Sequence, residues 1–98
     1  MHQEIHDALG LVVCLEGYAA LAIRTGRPQV AALLGGAANA WRTRTGTRRT
    51  VGDQQAFDQM ITAVQAAMED QLFMATWGTG EQMDPEQAWA TVAKPAES

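Results

Sequence analysis

The sequence predicts an all-α protein, and three observations support this fold class. Alanine leads the 47% of residues that are hydrophobic, whereas aromatic residues make up 6%; alanine is the best helix former and a poor strand former. Apolar residues recur at spacings of three and four over long stretches, as on one face of a helix. Turn-forming residues interrupt these stretches at only a few points. We therefore expect an α-helical hairpin followed by two or three further helices.

The first helix is predicted over residues 3–24, where apolar residues keep helical spacing. Gly10 and Gly17 lie within it, and we interpret them as points of close contact with another helix. Gly26 and Pro28 then supply a C-capping glycine and a first-turn proline, which is typical of one helix ending and the next beginning. The first two helices should therefore form the hairpin.

The second helix is predicted over residues 28–42. The next segment, TRTGTRRTVG from Thr43 to Gly52, is predicted to be a loop, because neither helix nor strand favours its glycines and threonines. Asp53 is expected to cap a third helix. The apolar stripe of that helix has the spacing of a core-facing surface, and it consists of Phe57, Met60, Ile61, Val64 and Met68.

A short fourth helix is predicted to end at Gly78 and Gly80, because glycine disfavours helix interiors. The start of a last helix is marked by an N-cap aspartate, a first-turn proline and a capping-box glutamine, which are Asp84, Pro85 and Gln87. We expect a single helical domain over residues 1–94 and a frayed tail over residues 95–98.

Charge and cysteine content limit the classes of function. The net charge of −4 divides into +3 over residues 1–50 and −7 over residues 51–98, a distribution unlike the uniformly basic face of a nucleic-acid binder. Cys14 is the only cysteine, which excludes an intramolecular disulfide and suggests a reducing compartment. Glu16 interrupts the apolar N-terminal run and no basic segment precedes it, so we expect a cytoplasmic protein without signal peptide or membrane span.

The predicted hairpin resembles the tetratricopeptide pattern, in which small residues lie where two helices cross and bulkier residues lie between them. With Gly26 at the turn, three alanines occupy the small positions and two larger residues occupy bulky ones: Ala19, Ala31 and Ala38, then Leu15 and Tyr18. The hairpin is therefore expected to be TPR-like.

A second resemblance runs from about Leu11 to Val92. In order and spacing, the segments CLEGYAALAIRTGRPQVAALLGGAANAWR, AFDQMITAVQAAMEDQLFMATWGTGEQM and DPEQAWATVA resemble the tetratricopeptide-like C-terminal region of bacterial LuxR-type and related SARP-like ATPase regulators, many from actinobacteria. Phe73, Trp77 and Gly80 keep the family's spacing of an aromatic residue, a tryptophan and a glycine. The resemblance implies an interaction or signal-coupling segment of a transcriptional regulator.

The sequence departs from this family in three places. The loop that usually contains proline reads TRTGTRRTVG, a helix-breaking glycine is replaced near Glu69, and no helix-turn-helix follows Val92. A glycine-rich phosphate loop ending in Lys-Ser or Lys-Thr is also absent from the sequence, so the ATPase activity of the family is not carried over.

Candidate site residues fall into a few groups, none of which predicts catalysis or a cofactor. His2 and His6 are four residues apart, but a metal site needs three or four ligands. Cys14 lies in an apolar helix, where a thiol behaves as a small hydrophobe and makes a poor nucleophile. The acidic pairs Glu69-Asp70 and Asp84-Glu86 suit helix ends. We therefore expect no metal, no cofactor and no enzyme activity.

Four arginines in and beside the loop are candidate contacts for an anion or an acidic partner, since guanidinium groups pair with oxyanions through two hydrogen bonds. They are Arg42, Arg44, Arg48 and Arg49. Three alternatives remain open from the sequence: a solvated loop, ion pairing with an acidic segment of the same or a partner chain, and binding of phosphate or nucleic acid.

The predicted core and the predicted interface use different apolar residues. The core anchors are expected to be Tyr18, Trp41, Phe57, Ile61, Phe73, Trp77 and Trp89. A second apolar face of the first helix is expected to remain uncovered and to form a homodimer; it comprises Val12, Val13, Cys14 and Leu21. The sequence thus favours a protein–protein interaction or self-association module. The alternatives are a nucleic-acid accessory domain that uses the arginine loop and a helical domain that senses a small molecule.

Overall fold

A computed structural model of the chain describes the backbone of residues 2–93 and the side chains of residues 8–91. It confirms the all-α fold, because these residues form helices joined by short connections and contain no strand. The helices are α1 (His2–Arg24), α2 (Pro28–Thr45), α3 (Val51–Ala67), α4 (Asp70–Glu81) and α5 (Pro85–Ala93). The tail predicted to fray lies outside the described residues.

Helix α1 ends in a glycine turn, as predicted. Gly26 adopts the left-handed conformation with φ of 82°, which is unstrained because glycine has no Cβ. The N–H of Arg27 donates to the carbonyl of Ala22 at 2.8 Å, and that of Gly26 donates to Ile23 at 3.3 Å. This pair of bonds is the Schellman arrangement that closes a helix. Pro28 then begins α2 without losing a hydrogen bond.

The connection between α2 and α3 is shorter than the predicted loop of Thr43 to Gly52. Helix α2 continues to Thr45, whose hydroxyl donates to the carbonyl of Trp41 at 2.8 Å. It ends at Gly46, which has φ of 71°. Only residues 46–50 lie between the two helices.

The predicted cap of α3 is wrong. The capping residue is Thr50, whose hydroxyl accepts a hydrogen bond from the N–H of Asp53 at 3.1 Å. Asp53 instead lies in the first turn, where its negative charge faces the positive end of the helix dipole. The predicted capping box of α5 is confirmed, because the N–H of Gln87 donates to Asp84 and the N–H of Asp84 donates to the side chain of Gln87.

Helix α4 passes through both glycines at which it was predicted to end, and it continues to Glu81. The reason is close packing against α2. A Cβ on Gly80 would overlap the carbonyl oxygen of Leu33, and a Cβ on Gly36 would overlap that of Trp77. The two backbones therefore meet with no side chain between them. This packing outweighs the cost of glycine in a helix, which is about 1 kcal/mol.

Helix α2 lies at the centre of the molecule and contacts each of the other four helices. Its small residues permit these approaches on several sides, and the overall extents of 39, 37 and 21 Å describe a body about two helices thick. The fully buried large side chains are Val12, Leu15, Leu34 and Val64. They are surrounded by buried alanines, including the three assigned to small positions: Ala19, Ala31 and Ala38.

The predicted core anchors all contact this core, although only Trp41 and Phe57 are buried. The half-buried anchors are Tyr18, Ile61, Phe73, Trp77 and Trp89. The predicted apolar stripe of α3 is confirmed, because it faces this core with Met60 and Val64 buried. Aromatic pairs join distant helices: the rings of Tyr18 and Trp89 meet edge to face with centroids 5.8 Å apart, and Phe57 lies 6.1 Å from Trp77.

Candidate functional site

One carboxylate in the apolar helix α1 binds two arginines from the loop region. Arg42 donates from Nε to Oε2 of Glu16 at 2.7 Å and from Nη2 to Oε1 at 3.0 Å. Arg49 donates from Nε to the same Oε2 at 2.8 Å. The side chains of Arg42, Arg49 and Glu16 are only 8%, 5% and 16% exposed. We call these three residues the Glu16 cluster.

Arg49 is the less satisfied arginine of the Glu16 cluster. Its guanidinium carbon lies 3.6 Å from the centroid of the Phe57 ring, in the geometry of a cation–π interaction. Burial lowers the pKa of Arg49, and the charge of Glu16 opposes this effect. Nη1 makes two long hydrogen bonds of 3.4 Å, to Asn39 and Gln54. Nη2 is buried and has no acceptor among the described residues.

An open cleft of about 600 Å³ adjoins the Glu16 cluster and is lined by polar side chains from α2, the 46–50 connection and α3. We call it the arginine cleft. Its lining residues are Asn39, Arg42, Thr43, Gly46, Thr47, Arg48, Arg49, Val51, Gln54 and Gln55.

The four predicted arginine contacts thus separate into two pairs. Arg42 and Arg49 form ion pairs inside the chain, whereas Arg44 and Arg48 are exposed. Arg44 is the one member of the set that does not line the arginine cleft. Glu16, the partner of Arg42 and Arg49, was not identified from the sequence as a site residue. The available signal was a single acidic residue within an apolar helix, which is unlikely to be buried unless a cation pairs with it.

The second candidate site is the outer face of α1. Among residues 8–24, the exposed positions share one side of the helix and recur at spacings of three and four: Gly10, Val13, Cys14, Gly17, Ala20, Leu21 and Arg24. Arg24 is the only charged residue among them. We call this surface the α1 face. Val13 and Leu21 are the large residues on it, at 52% and 47% exposure.

Two sequence expectations about α1 are corrected. Val12 was assigned to the uncovered face, but it is fully buried because it lies on the opposite side of the helix, beside Leu15 and Ala19. Gly10 and Gly17 were interpreted as close contacts, yet a Cβ on either would meet nothing within 4 Å.

A shallow groove of about 240 Å³ runs along the α1 face, between α1 and α3. Val13, Gly17 and Ala20 form one wall, and Ala56 contributes to the other. The small residues Gly17, Ala20 and Ala56 leave room there for close approach of a helix. Glu16, Asp53, Phe57 and Met60 complete the lining, and Asp53 is the exposed acid among them.

Other candidate sites receive no support from the described residues. The side chains of His2 and His6 lie outside them, and the described side chains include no group of three histidine, cysteine or acidic residues that could hold a metal. Glu69 and Asp70 begin α4, and Asp84 caps α5, the positions expected for acids at helix ends. Within residues 2–93, no helix is both long and apolar enough to cross a bilayer.

Comparison of the chain with protein-family models, with curated proteins and with solved structures finds no match.

Proposed function

We propose that this chain is a protein–protein interaction module that forms a homodimer through the α1 face. The observation that carries this proposal is the composition of that face, which has six apolar or small residues and one cation over a length of roughly 21 Å. Of the thirteen exposed positions of α3, by contrast, seven are aspartate, glutamine or threonine. A contiguous apolar surface of this kind marks an interaction site.

A second copy of the same chain fits this surface. Gly10, Gly17 and Ala20 allow two helix backbones to approach closely, and Val13 and Leu21 supply apolar area beside them. Pairing two copies of α1 in an antiparallel manner around Gly17 places the two Arg24 side chains at opposite ends, so their charges do not repel. The interface is then isologous, as in most homodimers.

We further propose a non-catalytic, cytoplasmic role in a bacterial transcriptional regulator. The support for this role is the resemblance of residues 11–92 to the helical C-terminal region of LuxR-type regulators, together with the resemblance of the hairpin sequence to the tetratricopeptide pattern. The arginine loop offers less to nucleic acid than its sequence suggested, because Arg42 and Arg49 are already paired with Glu16. Self-association is therefore preferred to the nucleic-acid alternative.

Cysteine cross-linking tests the proposed interface. In an antiparallel pair centred on Gly17, Cys14 of one copy lies opposite Ala20 of the other, whereas the two Cys14 residues are about 9 Å apart along the axis and beyond the reach of a disulfide. Under mild oxidation, Ala20→Cys with the native Cys14 should give a disulfide-linked dimer on a non-reducing gel, and the wild type should not.

The matched control is Ala66→Cys, which places the same residue on an exposed position of α3 away from the α1 face. It should remain monomeric on the gel. Equal cross-linking of Ala20→Cys and Ala66→Cys would reflect random collision and would contradict the proposal. A disulfide-linked dimer of the wild type would indicate that the α1 faces do pair, but with the two helices parallel.

A further inference from the structure

The arginine cleft is short of negative charge. Arg42, Arg48 and Arg49 all line it, and Glu16 is the one carboxylate that forms ion pairs with them within the described residues. The charge of Asp58 also raises the pKa of Arg49, but less than that of Glu16 does. Asp58 instead accepts a hydrogen bond from the side chain of Gln54. Three guanidinium groups therefore face two carboxylates, which leaves one uncompensated positive charge in a partly desolvated site.

The hydrogen-bond donors of the same groups are also incompletely used. Arg42 uses Nε and Nη2 on Glu16, which leaves Nη1 for the cleft that it lines. Arg49 has a buried Nη2 without an acceptor in the described part of the chain, and the 3.4 Å bonds of its Nη1 are too long to be strong. Buried donors without acceptors are costly, so an acceptor supplied from outside is favoured here.

We infer that the arginine cleft binds the phosphate group of a small molecule. A phosphate offers several strong acceptor oxygens and carries close to two negative charges at neutral pH, and guanidinium groups bind it through paired hydrogen bonds. It would accept from Nη1 of Arg42, from Arg48 and from Arg49, including the unpartnered Nη2 of Arg49, in place of the long bonds of its Nη1. The hydroxyls of Thr43 and Thr47, which also line the cleft, add neutral donors.

The cleft is unsuited to a nucleic-acid strand. No aromatic side chain lines it, whereas sites that follow a single strand use aromatic rings on which bases stack. Helix α3, at its edge, carries the exposed acids Asp53 and Asp58, which repel a long polyanion. A single phosphate group avoids them because it needs only the arginine side of the cleft. The site is also separate from the α1 face, so it does not depend on dimer formation.

Titration calorimetry with inorganic phosphate and with O-phosphoserine, each at constant ionic strength in a chloride buffer, tests the inference. The key variant is Arg48→Ala, because Arg48 is exposed, lines the cleft and lies outside the Glu16 cluster. The matched control is Arg44→Ala, an exposed arginine of the same region that does not line the cleft. Circular dichroism of both variants should match that of the wild type.

We expect saturable binding by the wild type, at least roughly tenfold weaker binding by Arg48→Ala, as loss of one charge-assisted hydrogen bond implies, and unchanged binding by Arg44→Ala. Tighter binding of O-phosphoserine than of inorganic phosphate would identify a phosphate monoester as the ligand, and the reverse order would identify the free ion. Absence of saturable heat with both probes, or equal loss in the two variants, would overturn the inference. Tighter binding of a single-stranded oligonucleotide, weakened equally by both substitutions, would also overturn it.

Discussion

The guanidinium of Arg42 pairs with the carboxylate of Glu16 through two hydrogen bonds, of 2.7 and 3.0 Å, although the residues are 26 positions apart in the chain. The pair connects the C-terminal part of α2 to the middle of α1. Arg49 adds a third bond to the same carboxylate from the 46–50 connection. Glu16 therefore joins three consecutive segments of the fold, and its charge permits two arginines to be buried nearby.

Replacing Glu16 with glutamine should destabilise the protein strongly. The substitution preserves the size of the side chain but leaves Arg42 and Arg49 without their close counter-ion, and removing one partner of a buried ion pair costs about 3 to 5 kcal/mol. The free energy of unfolding measured in urea reports the loss. Glu81→Gln changes an exposed acid and should cost less than about 0.5 kcal/mol. Similar values for the two variants would show that the Glu16 cluster contributes no stability.

Two glycines of α4 should respond to alanine in opposite directions. Gly80→Ala introduces a Cβ where the carbonyl of Leu33 lies, so α2 and α4 must separate; such overpacking typically costs about 1 to 3 kcal/mol. Gly78→Ala adds a Cβ to open space on the same helix and should stabilise the protein by up to about 1 kcal/mol. Thermal unfolding of the two variants measures the contrast. A Gly80→Ala protein as stable as Gly78→Ala would rule out the close packing of these helices.

The capping role of Thr50 predicts a specific loss. Thr50→Ala removes the oxygen that accepts from the N–H of Asp53, and loss of such a cap typically costs about 1 kcal/mol. Thr62 lies at an exposed position inside α3, and its hydroxyl bonds the carbonyl of Asp58. Thr62→Ala should therefore be neutral or slightly stabilising, since alanine is the better helix former. Chemical denaturation of both variants tests the assignment, which fails if Thr50→Ala is also neutral.

Local signals in the sequence were sufficient for several features of the fold. The turn at Gly26 and Pro28 and the capping box at Asp84 depend on residues within a few positions of each other, so composition and spacing predict them. The stripe of α3 follows from helical periodicity in the same way. Gly80 was misinterpreted because its helix-breaking tendency is local, whereas the contact with Leu33 that compensates for it comes from a distant helix.

The candidate sites could be identified only from the tertiary structure, because they too depend on contacts between distant segments. Sequence reasoning selected Arg42 and Arg49 but not Glu16, because the pairing depends on how α1 lies against α2 and the 46–50 connection. It also selected Val13, Cys14 and Leu21 correctly as exposed residues. Val12 was included with them because an apolar helix without a known core direction does not indicate which of its apolar residues point inward.

Sedimentation equilibrium at micromolar concentration tests the central claim, self-association through the α1 face, most directly. The wild type should have the mass of a dimer, and Val13→Glu with Leu21→Glu should have the mass of a folded monomer, because positions 13 and 21 of the two copies lie opposite each other and would bring like charges into the interface. Met74→Glu, which alters an exposed hydrophobic residue of α4, should remain dimeric. A wild-type protein that is a well-folded monomer under these conditions would contradict the account.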